Sequence, residues 1–257
     1  MNNMDQLVRI AQNLTPYKVK ALIMMADALQ RNIDVSIDRN SDILSESFVE
    51  AFSTILLMHH ATHIEKFNKK SFEYAFVLAS REAGKVADIE VNSTYRGADA
   101  RVAGVNFSLK TEASRRIRQD TIVISKLMEA RWIRDCNTAA DFRQGVMINV
   151  VGHLREYQRI LTLRAFDVAD GIRYDLVEIP LDLLLRIGTL TEAAFGPRKK
   201  NGGSRADVMM DGRRAFTINL DGSVEKVQIL NLATDLCRTH GSWIIEHAVI
   251  RDDEPNE

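Results

Sequence analysis

Apolar residues recur at helical spacing through most of residues 1–84, and the pattern then shifts to alternation. Thr15-Pro16 fits an N-cap followed by the first helical position, which predicts a helix through about Leu29. A second helix is predicted from Ser45 to His60, with Phe48, Phe52, Ile55 and Leu56 on one face. A third runs from about Lys69 to Ala83 and closes at Gly84. Beyond it Ala87, Ile89 and Val91 alternate with Asp88 and Glu90, the period of a strand. Short extended runs follow at Asp99–Val105 and Asn106–Thr111, with Gly104 at the turn. A helix is predicted over Ala139–Tyr157, strands over Ile160–Val168 and Tyr174–Ile179, and a helix from Pro180 to about Ala194. Gly196–Arg205 reads as a loop. Asp221-Gly222 then joins strands Ala215–Leu220 and Val224–Leu230 as a hairpin. Helices first, then a mixed sheet with packed helices, predict one α/β or α+β domain over residues 1–257.

Composition narrows the class. The chain has 257 residues, 46% hydrophobic and 27% charged, which supports a large core and argues against disorder. Two cysteines, Cys136 and Cys237, show no framework spacing and read as free thiols of a reducing compartment. Met1-Asn2-Asn3-Met4-Asp5 lacks the basic and apolar regions of a signal peptide, so a cytoplasmic location is expected. Net charge is −1, yet residues 196–228 hold seven basic side chains against four acids. Such clusters are usually solvated loops, and the net charge by itself does not suggest a nucleic-acid binder. No P-loop, GxGxxG or GxSxG motif occurs, so nucleotide hydrolysis, dinucleotide redox chemistry and hydrolase-type acyl transfer lack support.

The chemistry concentrates in Asp99, eight further residues, and then Ser108-Leu109-Lys110-Thr111-Glu112. On a strand Ser108, Lys110 and Glu112 share a face, with Lys110 and Glu112 roughly 6.6 Å apart at about 3.3 Å per residue. A hairpin brings Asp99 alongside them. Two carboxylates and an ammonium at one spot are costly unless a divalent metal and a phosphate complete the group. Mg²⁺ takes hard oxygen ligands and keeps several waters, so two carboxylates are a normal protein share. A nearby lysine can orient or deprotonate the attacking water and steady the phosphate. Acid–lysine–acid strands are frequent in proteins without such chemistry, so position matters. Here Glu73 lies on the preceding helix between Phe72 and Phe76, and basic Arg115, Arg116 and Arg118 follow. His59 and His63 have the i, i+4 spacing that can share zinc, but no catalytic Glu stands between them; packing or hydrogen bonding is the better reading.

At Asp99 and Ser108–Glu112 the chain resembles the PD-(D/E)xK nuclease superfamily, and further text resembles its type II restriction endonucleases. That text includes His59-His60, Phe72-Glu73, Leu109–Ala113, Ser125-Lys126, Tyr157–Arg164, Leu176–Pro180, Gln228-Ile229 and His240–Trp243. The similarity runs in order from about Ser41 to Ile245. It implies a restriction-endonuclease-like mixed central sheet flanked by helices, with an N-terminal helical region. Residues 1–84 would be the mostly helical part, 85–195 the catalytic core, and 196–257 the basic loop and strands of DNA recognition.

The resemblance further implies a Mg²⁺-dependent endonuclease that cuts both strands of double-stranded DNA at a C/G-rich palindrome such as CCCGGG. It would act as a homodimer in a restriction–modification system, with a cognate methyltransferase that forms no stable complex. Asp99, Lys110 and Glu112 fall on the motif, with Asp99, Glu112 and the Leu109 carbonyl as metal ligands and Glu73 as a further acid. Ala98 replaces the usual proline, and Ser108 stands where an acid is usual, which leaves Glu112 as the second carboxylate. Arg115, Arg116 and Arg118 would hold phosphates. Arg198, Lys199, Lys200, Asn201 and Arg205, with Arg213, Arg214, Lys226 and Gln228, would supply recognition, since Arg and Lys bond guanine O6 and N7 in the major groove. Two other readings stand beside this one: a repair or modification-dependent nuclease of the same superfamily, and a non-catalytic DNA-binding relative.

Overall fold

The computed structural model describes residues 2–90, 98–169 and 171–246, and two sheets organise them. The first contains β1 (Ile33–Ile37), β2 (Ala87–Ile89), β3 (Ala100–Val102), β4 (Val105–Glu112), β6 (Arg159–Val168), β7 (Gly171–Ile179) and β11 (Arg238–Glu246). Their order is β1-β11-β7-β6-β4-β3-β2, with β4 parallel to β6 and every other pairing antiparallel. The second sheet is antiparallel, in the order β5 (Thr121–Glu129), β10 (Lys226–Ala233), β9 (Arg213–Asp221), β8 (Ser204–Met210). A mixed central sheet with helices and an N-terminal helical region is the expected α/β architecture.

Helices α1 (Asn3–Gln12) and α2 (Pro16–Leu29) precede the first strand. α3 (Glu46–His60) and α4 (Lys69–Glu82) cover one face of the seven-stranded sheet. Ser45 caps α3 by accepting from the Phe48 N–H, and Asn68 caps α4 by accepting from Ser71. Phe48, Phe52, Phe72 and Phe76 pack there against Leu161, Leu163, Leu176 and Trp243. Each such buried side chain contributes roughly 1.5–3 kcal/mol. Period-2 alternation sends Ile160, Val177 and Ile179 to the opposite face. There they meet Phe142 of α5 (Ala139–Gly145), Leu154 of α6 (Val151–Leu154) and the apolar face of the second sheet, including Ile122, Phe216, Ile218 and Ile229.

Several elements differ from expectation. The predicted helix 139–157 forms, but Val146–Val150 within it is a π-turn. The helix expected from Pro180 to Ala194 is short: Pro180 is its cap, α7 (Leu181–Leu185) is one turn, and 3₁₀ turns follow at Arg186–Thr189 and Glu192–Ala194. Gly188 and the β-branched Thr189 and Thr191 weaken helical continuation there. The expected loop Gly196–Arg205 ends in β8, which begins at Ser204. Val91 and Gly97 lie outside the described residues. Cys136 and Cys237 are free thiols, as expected. No helix among the described residues is long and apolar enough to cross a membrane.

Candidate active site

Asp99 directly precedes β3, and its backbone N–H donates to Phe107 across the hairpin (2.8 Å). The turn needs two positive-φ residues, Ala103 (φ 49°) and Gly104 (φ 83°), which matches Gly104's expected role. This pairing swings the Asp99 side chain over β4. Its Oδ2 accepts from the Leu109 N–H (2.7 Å), the Ser108 hydroxyl (3.3 Å) and Lys110 Nζ (3.3 Å). Its Oδ1 accepts from Lys69 Nζ at 2.6 Å. Lys69 also pairs with Glu73, one helical turn on, at 3.3 Å. One ammonium thus bridges the Glu73 and Asp99 carboxylates, and a second lies against Asp99 from the strand side.

Electrostatics follow from that geometry. Burial disfavours the Asp99 charge, but Lys110 and Lys69 outweigh it and hold the carboxyl below its ordinary value. Burial pushes Lys110 down despite the pull of Asp99, with Lys69 adding to the lowering. Glu73 is raised by burial and by Asp99, against the opposing pull of Lys69.

Asp99, Lys110 and Lys69 open onto a cleft of about 1000 Å³. Its walls are Lys69, Asp99, Lys110 and Thr111 on one side and β5 residues Ile124–Glu129 on another. Arg131, Trp132 and the α5–α6 segment, with Ile148, Asn149, His153, Glu156 and Tyr157, close the third. Ile148 and Asn149, which line the cleft, belong to the π-turn. Trp132 lies flat against Gly145, where a Cβ would fall 2.3 Å from the ring.

Of the residues singled out by sequence, Asp99, Lys110 and Glu73 come together, with Leu109 contributing its N–H to Asp99. Glu112 does not join them. Although it shares the β4 face with Lys110, its Oε2 accepts from Arg164 Nε (2.8 Å) and its Oε1 from the Val123 N–H (3.0 Å). It lines a neighbouring smaller cavity with Arg116 and Arg118. Arg118 pairs with Asp120, and Arg115 is exposed beside it. None of the residues of 196–228 lines the main cleft. Arg198 bonds Asn137, Asn201 bonds Asp221, and Arg205 bonds Asn219. Arg213 pairs with Asp235 and Arg214 with Asp207. Gln228 ties Asn219 to the Ser125 carbonyl, while Lys199 and Lys200 are exposed and Lys226 half-buried.

Sequence reading missed Lys69, Lys126, Arg131, Asn149 and His153. The signal for Lys69 was its i, i+4 spacing to Glu73. The histidine cluster behaves as expected: His59 bonds the Glu65 carbonyl, His60 the Tyr174 hydroxyl, and His63 the Thr62 hydroxyl. Among the described residues no three His, Cys, Asp or Glu side chains group as ready-made metal ligands.

A mixed sheet thus carries an aspartate at one strand end and a lysine on the next, both facing an open cleft. The chain matches the family described as SmaI: Type II site-specific deoxyribonuclease over residues 15–245. The type II restriction enzyme SmaI of Serratia marcescens is 29% identical over 211 residues, which cover 79% of this chain and 82% of that protein. The chain belongs to the SmaI family of type II site-specific deoxyribonucleases. No solved structure matches it.

Proposed function

We propose that this restriction endonuclease makes Mg²⁺-dependent double-strand cuts at a palindromic, C/G-rich site resembling CCCGGG. The observation that carries the reading is the meeting of Asp99 and Lys110 at one cleft, with Glu73 joined to Asp99 through Lys69. The donor set fits a hard divalent cation: two carboxylates already bracket a positive charge, that of Lys69. Asp99 and Glu73 would hold the metal, with the Leu109 carbonyl as a further ligand. A metal held there would supply charge neutralisation on the phosphate and the leaving oxygen.

The chain's own residues supply the rest. Lys110, fixed on β4 and half-buried, donates to a phosphate oxygen and orients the attacking water. Ser108 keeps the Asp99 carboxylate turned toward the cleft. Glu112 braces β4 against β5 through Arg164 and Val123, which fixes the wall opposite Lys110. Lys126 and Arg131 at the cleft rim, with Arg115, Arg116 and Arg118 beyond β4, meet phosphates. Arg198, Lys199, Lys200, Asn201 and Arg205, followed by Arg213, Arg214, Lys226 and Gln228, are the candidates for reading bases.

The chain acts as one endonuclease unit, a reading supported among the described residues by β11 returning to the first sheet between β1 and β7. The protein acts as a homodimer on its palindrome, in the cytoplasm and alongside a cognate methyltransferase. Digesting one plasmid with Mg²⁺ and sequencing the ends tests this reading. Discrete ends at a C/G palindrome on unmodified DNA are expected. Scattered ends, or cutting only of methylated plasmid, would overturn it.

A further inference from the structure

Lys69 is the one member of the site cluster with no place in the proposed chemistry. It is the first residue of α4, where the helix dipole disfavours a cation. Its ammonium nevertheless reaches Asp99 (2.6 Å) and Glu73 (3.3 Å), so the carboxylates, and not the helix, determine its position. The two lysines around Asp99 differ in freedom. The Lys110 side chain is 12% exposed and held on a central strand, whereas that of Lys69 is 45% exposed and hangs from a helix end. Charge also balances: two carboxylates face two ammoniums, and a divalent cation added without a departure would leave the group strongly positive.

We propose that Lys69 is a built-in counterion for the metal-holding carboxylates. It sits between Asp99 and Glu73 in the protein alone and yields that place to the divalent cation. This rests on the reading of those two carboxylates as the metal site. Lys69 is a positioning residue in this scheme: it keeps two like charges together on a preformed site and sets how tightly the site takes metal. Once displaced, its flexible four-carbon stem leaves the ammonium at the cleft wall, within reach of a phosphate. Metal loading and capture of the DNA backbone are then coupled through one side chain.

The test is Mn²⁺ binding to the full chain without DNA, by isothermal titration calorimetry, for wild type, Lys69→Met, Lys69→Gln and Asp99→Asn. Circular dichroism checks the folding of each. Removing a competing unit charge a few ångströms away should tighten Mn²⁺ binding by about tenfold or more in both Lys69 variants. Asp99→Asn should lose the binding. If Asp99→Asn loses Mn²⁺ while the Lys69 variants bind as wild type or more weakly, the counterion role is wrong and the metal site stands. If Asp99→Asn binds Mn²⁺ like wild type, the metal site itself is misassigned. Should Lys69→Met fail to fold, the more conservative Lys69→Gln decides.

Discussion

Glu112 and Arg164 lie directly opposite each other on the parallel strands β4 and β6, and their side chains form an ion pair of 2.8 Å that is almost sealed from solvent. Arg164 extends the pair by donating to the carbonyls of Arg118, Gln119 and Thr121, so it ties the segment after β4 to the start of β5. The acid nearest the motif lysine in sequence is thereby a brace. The acid that reaches Asp99 through a shared lysine comes from helix α4.

That division of labour predicts two separable phenotypes. Glu112→Ala leaves the Arg164 guanidinium buried without its partner and should destabilise the fold by roughly 3–5 kcal/mol in urea unfolding. Glu73→Gln should leave urea stability within about 1 kcal/mol of wild type, as for most partly exposed ion pairs, while cleavage falls. Full stability of Glu112→Ala would show that the pair is not the brace described.

Acid should loosen the far end of the same sheet. Burial raises the Glu178 carboxyl, but hydrogen bonds from His240 and Arg159 more than offset it and bring the pKa to about 2, against an ordinary value of 4.5. A depressed folded value means stability present above pH 4.5 and lost as pH falls toward 2. The stability gap between wild type and Glu178→Gln should shrink through that window. A gap that stays constant from pH 6 to pH 2 would contradict it.

Gly145 makes room for the Trp132 ring that walls the cleft. A Cβ there would lie 2.3 Å from that ring, so Gly145→Ala must displace Trp132 or the π-turn beside it. The expected result is a loss of about 1–3 kcal/mol together with reduced cleavage. Wild-type tryptophan fluorescence, stability and cutting in this variant would rule the contact out.

Much of the fold was legible because its signals are local. The Thr15-Pro16 helix start, the Phe48–Phe52 stripe and the Gly104 turn each declare an element without reference to distant residues. β11 was not read, since its sequence shows no clean alternation and its partner β1 lies more than 200 residues away; β1 was missed although Ile33, Val35 and Ile37 alternate with Asp34 and Ser36. β8 escaped although Asp211-Gly212, with φ of 50° and 77°, is the hairpin signal already used at Asp221-Gly222. At the site, Asp99 and Lys110 were legible from spacing. The Arg164 partner that turns Glu112 aside was not, because it arrives from β6, a neighbour fixed only by tertiary pairing. Lys69 was hidden for the same reason: its role depends on where Asp99 arrives.

The N-terminal helices carry an apolar face with little beneath it. α1 has no buried residue and α2 only Ala28, while Met4, Leu7, Val8 and Ile23 are exposed. If this face joins two copies, Leu7→Glu with Ile23→Glu should convert a dimer to monomer in sedimentation velocity without changing circular dichroism. A dimer that persists in the double variant would place the interface elsewhere.

The most direct measurement is single-turnover cleavage of a cognate duplex by Lys110→Ala, with site binding followed in Ca²⁺. Loss of cutting by about a thousandfold or more, with binding and fold intact, is the predicted result. Cleavage at the wild-type rate would mean that the Asp99–Lys110 cluster is not where the phosphodiester is broken.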